Sequence, residues 1–310
     1  EIILVGRATP IDGQLDMLEF AQATTLDWIA TDLPRLVGSD RLVVDARIRA
    51  GSLDLQHNYD ASQALAVPRA NDTSFGVGYW PLSDLEKVVL DGEHVLNSFE
   101  FKQEHPEIGT DIKIMGLRQG DELDLTVACA MVASELPNRA AYDEAKALIE
   151  QTILDLAQGL THRACKVSVN TADDPQQAYL TITGTSSEAG DDGQVGRGNR
   201  PNGLITPYRP MTLEAACGKN PVSHVGKIYS VMAQLIAERV EDIEPVTAAQ
   251  CYMLSRIGHP INEPNEVNVE VEADVPAQDL EETIYAIVQE VLADWKNIQL
   301  GFLEHKWRLF

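Results

Sequence analysis

One stretch, Gly184–Lys227, reads GTSSEAGDDGQVGRGNRPNGLITPYRPMTLEAACGKNPVSHVGK, and the rest of the chain must be built to carry it. A strand pattern at Tyr179–Thr183 delivers the chain into it and a helical pattern leaves it after Ser223. The chain as a whole has a formal net charge of -24, yet the window Gly193–Ala237 holds Arg197, Arg200, Arg209, Lys219 and Lys227 against the single acid Glu214. Five bases minus one acid make that window +4 and leave -28 for the remainder. Six glycines, Gly184, Gly190, Gly193, Gly196, Gly198 and Gly203, fall within twenty residues. Glycine lets backbone N–H groups approach an anion closely. Glu188, Asp191 and Asp192, just upstream, are hard oxygen ligands of the kind Mg²⁺ takes beside substrate phosphates. Acids, glycines and bases in this order fit a metal and polyphosphate pocket; the same Gly, Ser, Asn and Asp content also fits an ordinary surface loop. The common phosphate loop G-x-x-x-x-G-K-S/T is missing, because Asn220 follows Gly218-Lys219 and Leu213 stands where its first glycine belongs.

At 310 residues, with 44% hydrophobic and 23% charged residues, the chain can bury a full core and is expected to divide into two or three subdomains. No apolar run reaches the ~18 residues that span a bilayer. The N-terminus lacks a basic, cleavable leader pattern, so the expectation is a cytoplasmic globular protein with no membrane partner. The acidic balance excludes the basic footprint of a nucleic-acid binder. Cys129, Cys165, Cys217 and Cys251 lie too far apart for a zinc or disulfide framework.

Along the chain, IILVGRAT reads as a strand, Thr25–Leu36 as a helix disturbed by Pro34, and Arg41–Ile48 as a strand closed at Gly51. Residues 54–70 carry little pattern. Leu82–Leu96 is predicted helical. Asp111–Leu117 and Glu122–Val132 form a hairpin through Gly120, with Leu123, Leu125, Val127, Cys129 and Met131 on the core face. Tyr142–Leu156 is predicted as a helix capped at Gly159. Asp173 and Asp174 read as turn residues rather than ligands. Ser223 is the candidate N-cap of a helix burying Val225, Ile228, Tyr229, Met232, Leu235 and Ile236, with His224 and Lys227 in its first turn beside the positive dipole end. Val267, Val269 and Val271 alternate in a half-exposed strand, and Leu280–Trp295 is the last long helix. Strand pairs alternating with helices favour an α+β fold.

GDDGQVGRGNRPNGLITPYRP followed by EAACGKNPVSHVGKIY strongly resembles the archaeal-type S-adenosylmethionine synthetases. ANDTSFGVGYWPLSDLEKVVL at Ala70–Leu90, DIKIMGLRQGDELDLTVACAMV at Asp111–Val132 and VNTADDP at Val169–Pro175 carry the same resemblance, which covers nearly the whole chain. It implies an S-adenosylmethionine synthetase-like fold of similar α/β units, with sheets covered on one face by helices. The expected division is 1–110, ending past the N-D-T-S loop, 111–183, a central hairpin and helix, and 184–310, the glycine-rich stretch with a C-terminal unit. The implied activity is methionine adenosyl transfer: the sulfur of L-methionine attacks C5′ of ATP, tripolyphosphate leaves, and the same site cleaves it to pyrophosphate and phosphate. Mg²⁺ and K⁺ are the implied cofactors, and a homodimer the implied assembly.

Carried over residue by residue, the resemblance makes Lys113, Arg197, Lys219, His224 and Lys227 the catalytic candidates. Asp191, Arg197, Arg200, Lys219 and Lys227 are the ATP and phosphate contacts, with Asp191 also the metal ligand. Asp72 and Ser74 fall on the methionine side, although Asp72 alone also reads as a turn or cap residue. Two departures stand out. Gly218-Lys219 is followed by Asn220, Pro221, Val222, Ser223 and His224, as in the archaeal branch, which leaves a second metal ligand unassigned. The G-H-P-D segment that family members carry upstream is not in this stretch, so the expectation is part of a longer polypeptide; the competing expectation is a non-catalytic nucleotide-binding homologue or a tripolyphosphatase. Gly258-His259-Pro260 is followed by Ile261, in a context that does not correspond.

Overall fold

The computed structural model describes residues 1–8, 16–37, 42–63, 65–190, 196 and 198–309. In chain order the elements are β1 (Ile2–Arg7), α1 (Met17–Asp32), β2 (Val44–Arg49), α2 (Leu53–Gln63), β3 (Phe75–Trp80), α3 (Asp84–Leu96), α4 (Phe99–Glu104), β4 (Ile108–Gln119) and β5 (Glu122–Val132). There follow α5 (Arg139–Leu160), β6 (Ala164–Val169), β7 (Leu180–Thr181), α6 (Val225–Glu241), β8 (Val246–Leu254), β9 (Glu266–Ala273), α7 (Glu281–Ala293) and α8 (Trp295–Leu303). They form two compact units, each drawn from two separate stretches: Glu1–Gly51 with Ser83–Gly193, and Ser52–Leu82 with Gln194–Phe310. Among the described residues no helix is long and apolar enough to cross a membrane.

The first unit contains a parallel β1–β2 pair and a sheet ordered β4-β5-β6, with β7 pairing β5. The β4–β5 hairpin closes at Gln119↔Glu122, where Gly120 takes a positive φ of 61° that the tight turn requires. Leu123, Leu125, Val127, Cys129 and Met131 are all buried, as their alternation demands, and pack with Ile149, Ile153 and Tyr142 of α5 and Val88 and Leu96 of α3. Met115 and Leu117 of β4 stay exposed, so helices cover one face only.

In the second unit β3, β8 and β9 make an antiparallel sheet. β9 alternates half-buried and exposed positions as its valines predict. Helix α6 lies directly on β3: a Cβ on Gly76 would stand 2.4 Å from the Tyr229 carbonyl carbon, and one on Gly78 would stand 2.2 Å from that of Ala233. Only glycine lets helix and strand backbones approach this closely, which is the reason for the G-V-G sequence. Val225, Ile228, Tyr229, Met232 and Ile236 of α6 are buried and Leu235 packs at the margin of the same core. Trp307 donates from Nε1 to the Ile298 carbonyl at 2.8 Å and packs over Gly301, docking the tail.

Several boundaries differ from expectation. α1 begins at Met17, where Asp16 Oδ1 accepts the Leu18 N–H at 2.8 Å, and ends before Pro34. Residues 53–63 are helical although LDLQHNYDASQ has no apolar stripe. Gly159 lies inside α5, and Thr161 terminates that helix. Ser223 is not the cap of α6: its hydroxyl turns back toward Asn220 Oδ1 at 3.4 Å, and His224 takes the cap position one residue later. The last predicted helix is two, α7 and α8, meeting at Asp294. Cys129 and Cys251 are buried, and all four cysteines are free.

Candidate functional site

The site is assembled in the second unit around the start of α6. Asn71, from the N-D-T-S loop, accepts the Val225 N–H on Oδ1 at 3.1 Å and donates its own N–H to the Ser223 carbonyl at 3.1 Å. His224 Nδ1 accepts the Gly226 N–H at 3.2 Å. The first free amides of the helix are thus met by side chains, as helix starts require. A loop remote in sequence is thereby fastened to the helix end.

Asp72 points outward, and its Oδ1 accepts the Thr73 N–H at 2.7 Å, a local turn contact. Its backbone carbonyl accepts the Ser255 hydroxyl at 2.8 Å. Ser74 donates its hydroxyl to Glu214 Oε1 at 3.0 Å. The other oxygen, Glu214 Oε2, lies 3.4 Å from Lys219 Nζ. A Cβ on Gly226 would fall 2.6 Å from Oε2, so the absence of a side chain there leaves room for this carboxylate at the helix start. Ser74, Glu214, Lys219 and the α6 terminus are therefore one connected group.

Lys227 is 8% exposed, with its ammonium 5.2 Å from the Phe302 ring centroid. Burial pulls it below the ordinary lysine value of 10.5; Cys217 opposes that pull and Lys219 adds to it. Burial in turn pushes the Cys217 thiol up, against both lysines, and the thiol donates to the Leu309 carbonyl at 3.3 Å. Two cations are thus held close together with no carboxylate but Glu214 in hydrogen-bond or ion-pair contact among the described residues, a local field that favours an anion.

Arg200 is 6% exposed and turned onto its own loop. Its guanidinium donates to the carbonyls of Gly198, of Thr206 at 2.9 Å and of Arg209 at 3.1 Å. Arg209 lies 4.6 Å over the Tyr79 ring and donates to the Pro81 carbonyl at 2.9 Å. The Tyr79 hydroxyl is 3.2 Å from that of Thr206. This tyrosine and two arginines shape the loop from 198 to 209 on the face of β3 opposite α6.

Lys113 belongs to the first unit. Its side chain is 73% exposed on β4, 3.8 Å from Asp111 Oδ1. Asp111 Oδ2 accepts the hydroxyls of Ser186 at 2.9 Å and Tyr179 at 3.3 Å. Glu188 accepts the Ile182 N–H at 2.6 Å and the Thr183 hydroxyl; burial raises its carboxyl, but these donors outweigh it and leave it below the ordinary value. Asp173 pairs with Lys146 and accepts the Tyr142 hydroxyl, both at 2.7 Å, a structural tie at its turn. Asp191, Asp192 and Arg197 lie outside the described residues. Glu214, Asn71, Ser255 and Phe302 were not singled out from sequence as site residues. Glu214 did carry a signal, being the one acid in the basic window.

The model of the S-adenosylmethionine synthetase (AdoMet synthetase) family matches residues 1–306. A probable S-adenosylmethionine synthase of Aquifex aeolicus is 48% identical over 313 residues, covering 99% of this chain and 78% of its own. The S-adenosylmethionine synthase of Pyrococcus furiosus is 45% identical over 315 residues, covering 100% and 79%, and that of Haloarcula marismortui 43% over 311 residues, covering 98% and 77%. Among solved structures, an unusual S-adenosylmethionine synthetase from Campylobacter jejuni has the same fold, with a TM-score of 0.65 at 14% identity over 96% of this chain and 78% of that one. With near-complete coverage at these identities, and with the N-D-T-S loop and the G-K-N-P-V-S-H-V-G-K segment meeting at one helix start, the chain belongs to the S-adenosylmethionine synthetase family.

Proposed function

We propose that the chain makes S-adenosylmethionine from ATP and L-methionine, with the polyphosphate bound at the start of α6 and the amino acid beside the N-D-T-S loop. The observation that carries this placement is the continuous contact Ser74–Glu214–Lys219, which joins the two loops that the family resemblance assigns to the two substrates.

The thioether sulfur is already a competent nucleophile, so no catalytic base is required. The work of the site is to hold sulfur and C5′ in line and to stabilise the departing tripolyphosphate. Positioning turns two bound reactants into one reacting unit. Preorganised cations stabilise the charge that develops on the leaving group. Lys219 and Lys227 take that role from α6 and the loop before it, with Arg197 and His224 as further phosphate contacts; Lys113 is proposed as a phosphate contact on the family resemblance alone. Asp72 and Ser74 orient the amino acid. Arg200 holds the loop from 198 to 209 in shape.

Among the described residues no three His, Cys, Asp or Glu side chains gather into a metal-binding group. Mg²⁺ is typically held largely by substrate phosphates with one or two carboxylates. Asp191 is the proposed carboxylate. Mg²⁺ bound there would neutralise part of the polyphosphate charge, and K⁺ is proposed as the monovalent activator. A homodimer in the cytoplasm is the proposed working state, on the family resemblance.

The test is incubation of the protein with ATP, L-methionine, Mg²⁺ and K⁺, with S-adenosylmethionine, phosphate and pyrophosphate quantified together. Equal amounts of the three products are expected. In a parallel incubation with added tripolyphosphate, phosphate release without S-adenosylmethionine formation from ATP would reduce the activity to hydrolysis alone.

A further inference from the structure

We propose that Glu214 couples the two substrate subsites: in the free protein its carboxylate neutralises Lys219, and once polyphosphate engages Lys219 the same carboxylate turns to the α-ammonium of methionine, so that each ligand strengthens binding of the other. The inference rests on the substrate placement given above and goes beyond it by assigning a thermodynamic link to one residue that the family resemblance does not name.

Glu214 is the only acid between Gly193 and Ala237, yet it stands at the point where anions are wanted. Its side chain is 23% exposed and that of Lys219 19%, so the pair is shielded from water and is not a screened surface contact. One oxygen is held by the Ser74 hydroxyl at 3.0 Å and the other faces Lys219 at 3.4 Å. The backbone N–H of Glu214 donates to Thr212 Oγ1 at 3.2 Å, and Thr212 donates to the Phe75 carbonyl at 2.8 Å, so the residue is fixed at the N-D-T-S end independently of the lysine.

A polyphosphate offers Lys219 several negative oxygens where Glu214 offers one, so it displaces the carboxylate as the lysine's partner. Glu214 then remains poorly solvated with its Ser74 contact and no counter-charge, a costly state. Neither ATP nor tripolyphosphate brings a cation that could replace Lys219. Methionine does, in its α-ammonium, and Ser74 already places the carboxylate on that side. Filling both subsites therefore restores charge balance, whereas filling the polyphosphate subsite alone does not.

The test is calorimetry on the full chain, with Mg²⁺-tripolyphosphate and L-methionine titrated singly and each in the presence of the other. For the unaltered protein, tripolyphosphate should tighten methionine binding about tenfold, within the ordinary range of coupling between sites. In Glu214→Gln the ratio should fall to about one, because the charge that links the subsites is gone. A second variant reads the same link in the opposite direction: in Lys219→Met the carboxylate has no lysine to release, so methionine should bind more tightly than to the unaltered protein in the absence of tripolyphosphate. A merely structural Glu214 predicts no such gain. Coupling retained in Glu214→Gln, or weaker methionine binding to Lys219→Met, overturns the inference while leaving the substrate assignment intact. Failure of the unaltered protein to bind either ligand overturns both.

Discussion

Ser255 reaches from the end of β8 into the N-D-T-S loop, where its hydroxyl accepts the Ser74 N–H at 2.9 Å and lies 2.8 Å from the Asp72 carbonyl and 2.9 Å from that of Ser74. The side chain is buried, and no other described side chain holds both backbone groups of Ser74. Its removal leaves the Ser74 N–H without its acceptor and takes the hydroxyl from the Asp72 carbonyl, while the Ser74 carbonyl keeps the Ser255 N–H at 2.8 Å; the cost is about 1–3 kcal/mol. Ser255→Ala is expected to lower stability by that order and to raise KM for methionine more than KM for ATP, because the displaced loop carries Asp72 and Ser74. Steady-state kinetics with each substrate varied in turn decides it; equal rises in the two KM values would assign Ser255 to stability alone.

Arg200 gives a second prediction, because its fork is spent on three backbone carbonyls. A lysine cannot meet three acceptors in one plane. Arg200→Lys should therefore destabilise the protein by about 2 kcal/mol, in the range for hydrogen bonds made by charged groups. It should weaken tripolyphosphate binding as a consequence. Denaturant unfolding and tripolyphosphate titration, run together, separate the two effects. Weakened binding with unchanged stability would make Arg200 a direct phosphate contact instead.

Much of this architecture can be read from residue order, where the signal is local. The buried alternation of β5 from Leu123 to Met131, the apolar face of α6 and the period-two valines of β9 each follow from side chains a few positions apart. The family-specific stretches likewise located the loops at Asn71 and Lys219. What could not be read is long-range. Asn71 meets Val225 across 154 positions, and Ser74 meets Glu214 across 140. The pairing of β3 with β8 makes the second unit discontinuous, and no composition shift marks that. α2 escaped because its polar sequence carries no apolar stripe. Ser223 looked like a cap because serine is a good one, but its hydroxyl turns back toward Asn220 Oδ1 at 3.4 Å and His224 caps the helix.

The contact of β3 with α6 supplies a stability test. A methyl group on Gly78 would sit 2.2 Å from Ala233 C and Gln234 N, which are backbone atoms of a buried helix and cannot turn aside. Overpacking of this kind costs about 1–3 kcal/mol or more. Gly78→Ala should fall at or above the top of that range, with the unfolding midpoint lowered in proportion. Gly6→Ala is the control: nothing lies within 4 Å of its Cβ position, so a change of no more than about 0.5 kcal/mol is expected. Equal midpoints for the two variants would mean that strand and helix are farther apart than described.

Lys227 yields a pH dependence whose sign differs between folding and binding. Burial, with Lys219 adding to it, holds the folded-state value below the 10.5 that the unfolded chain restores. Between the two values the unfolded state binds more protons, so the contribution of this group to stability rises with pH there and is constant below that window. Polyphosphate reverses the balance, because an anion favours the charged ammonium. Binding within the window should then take up a proton, and affinity for tripolyphosphate should decline as pH climbs toward 10.5. Lys227→Arg keeps its charge throughout, since a guanidinium stays protonated across the whole of this window. Titrations of tripolyphosphate in two buffers of different ionisation enthalpy measure the proton uptake directly. Uptake is expected for the unaltered protein and should be absent from the arginine variant. The same alkaline decline in both would place the titrating group elsewhere in the site.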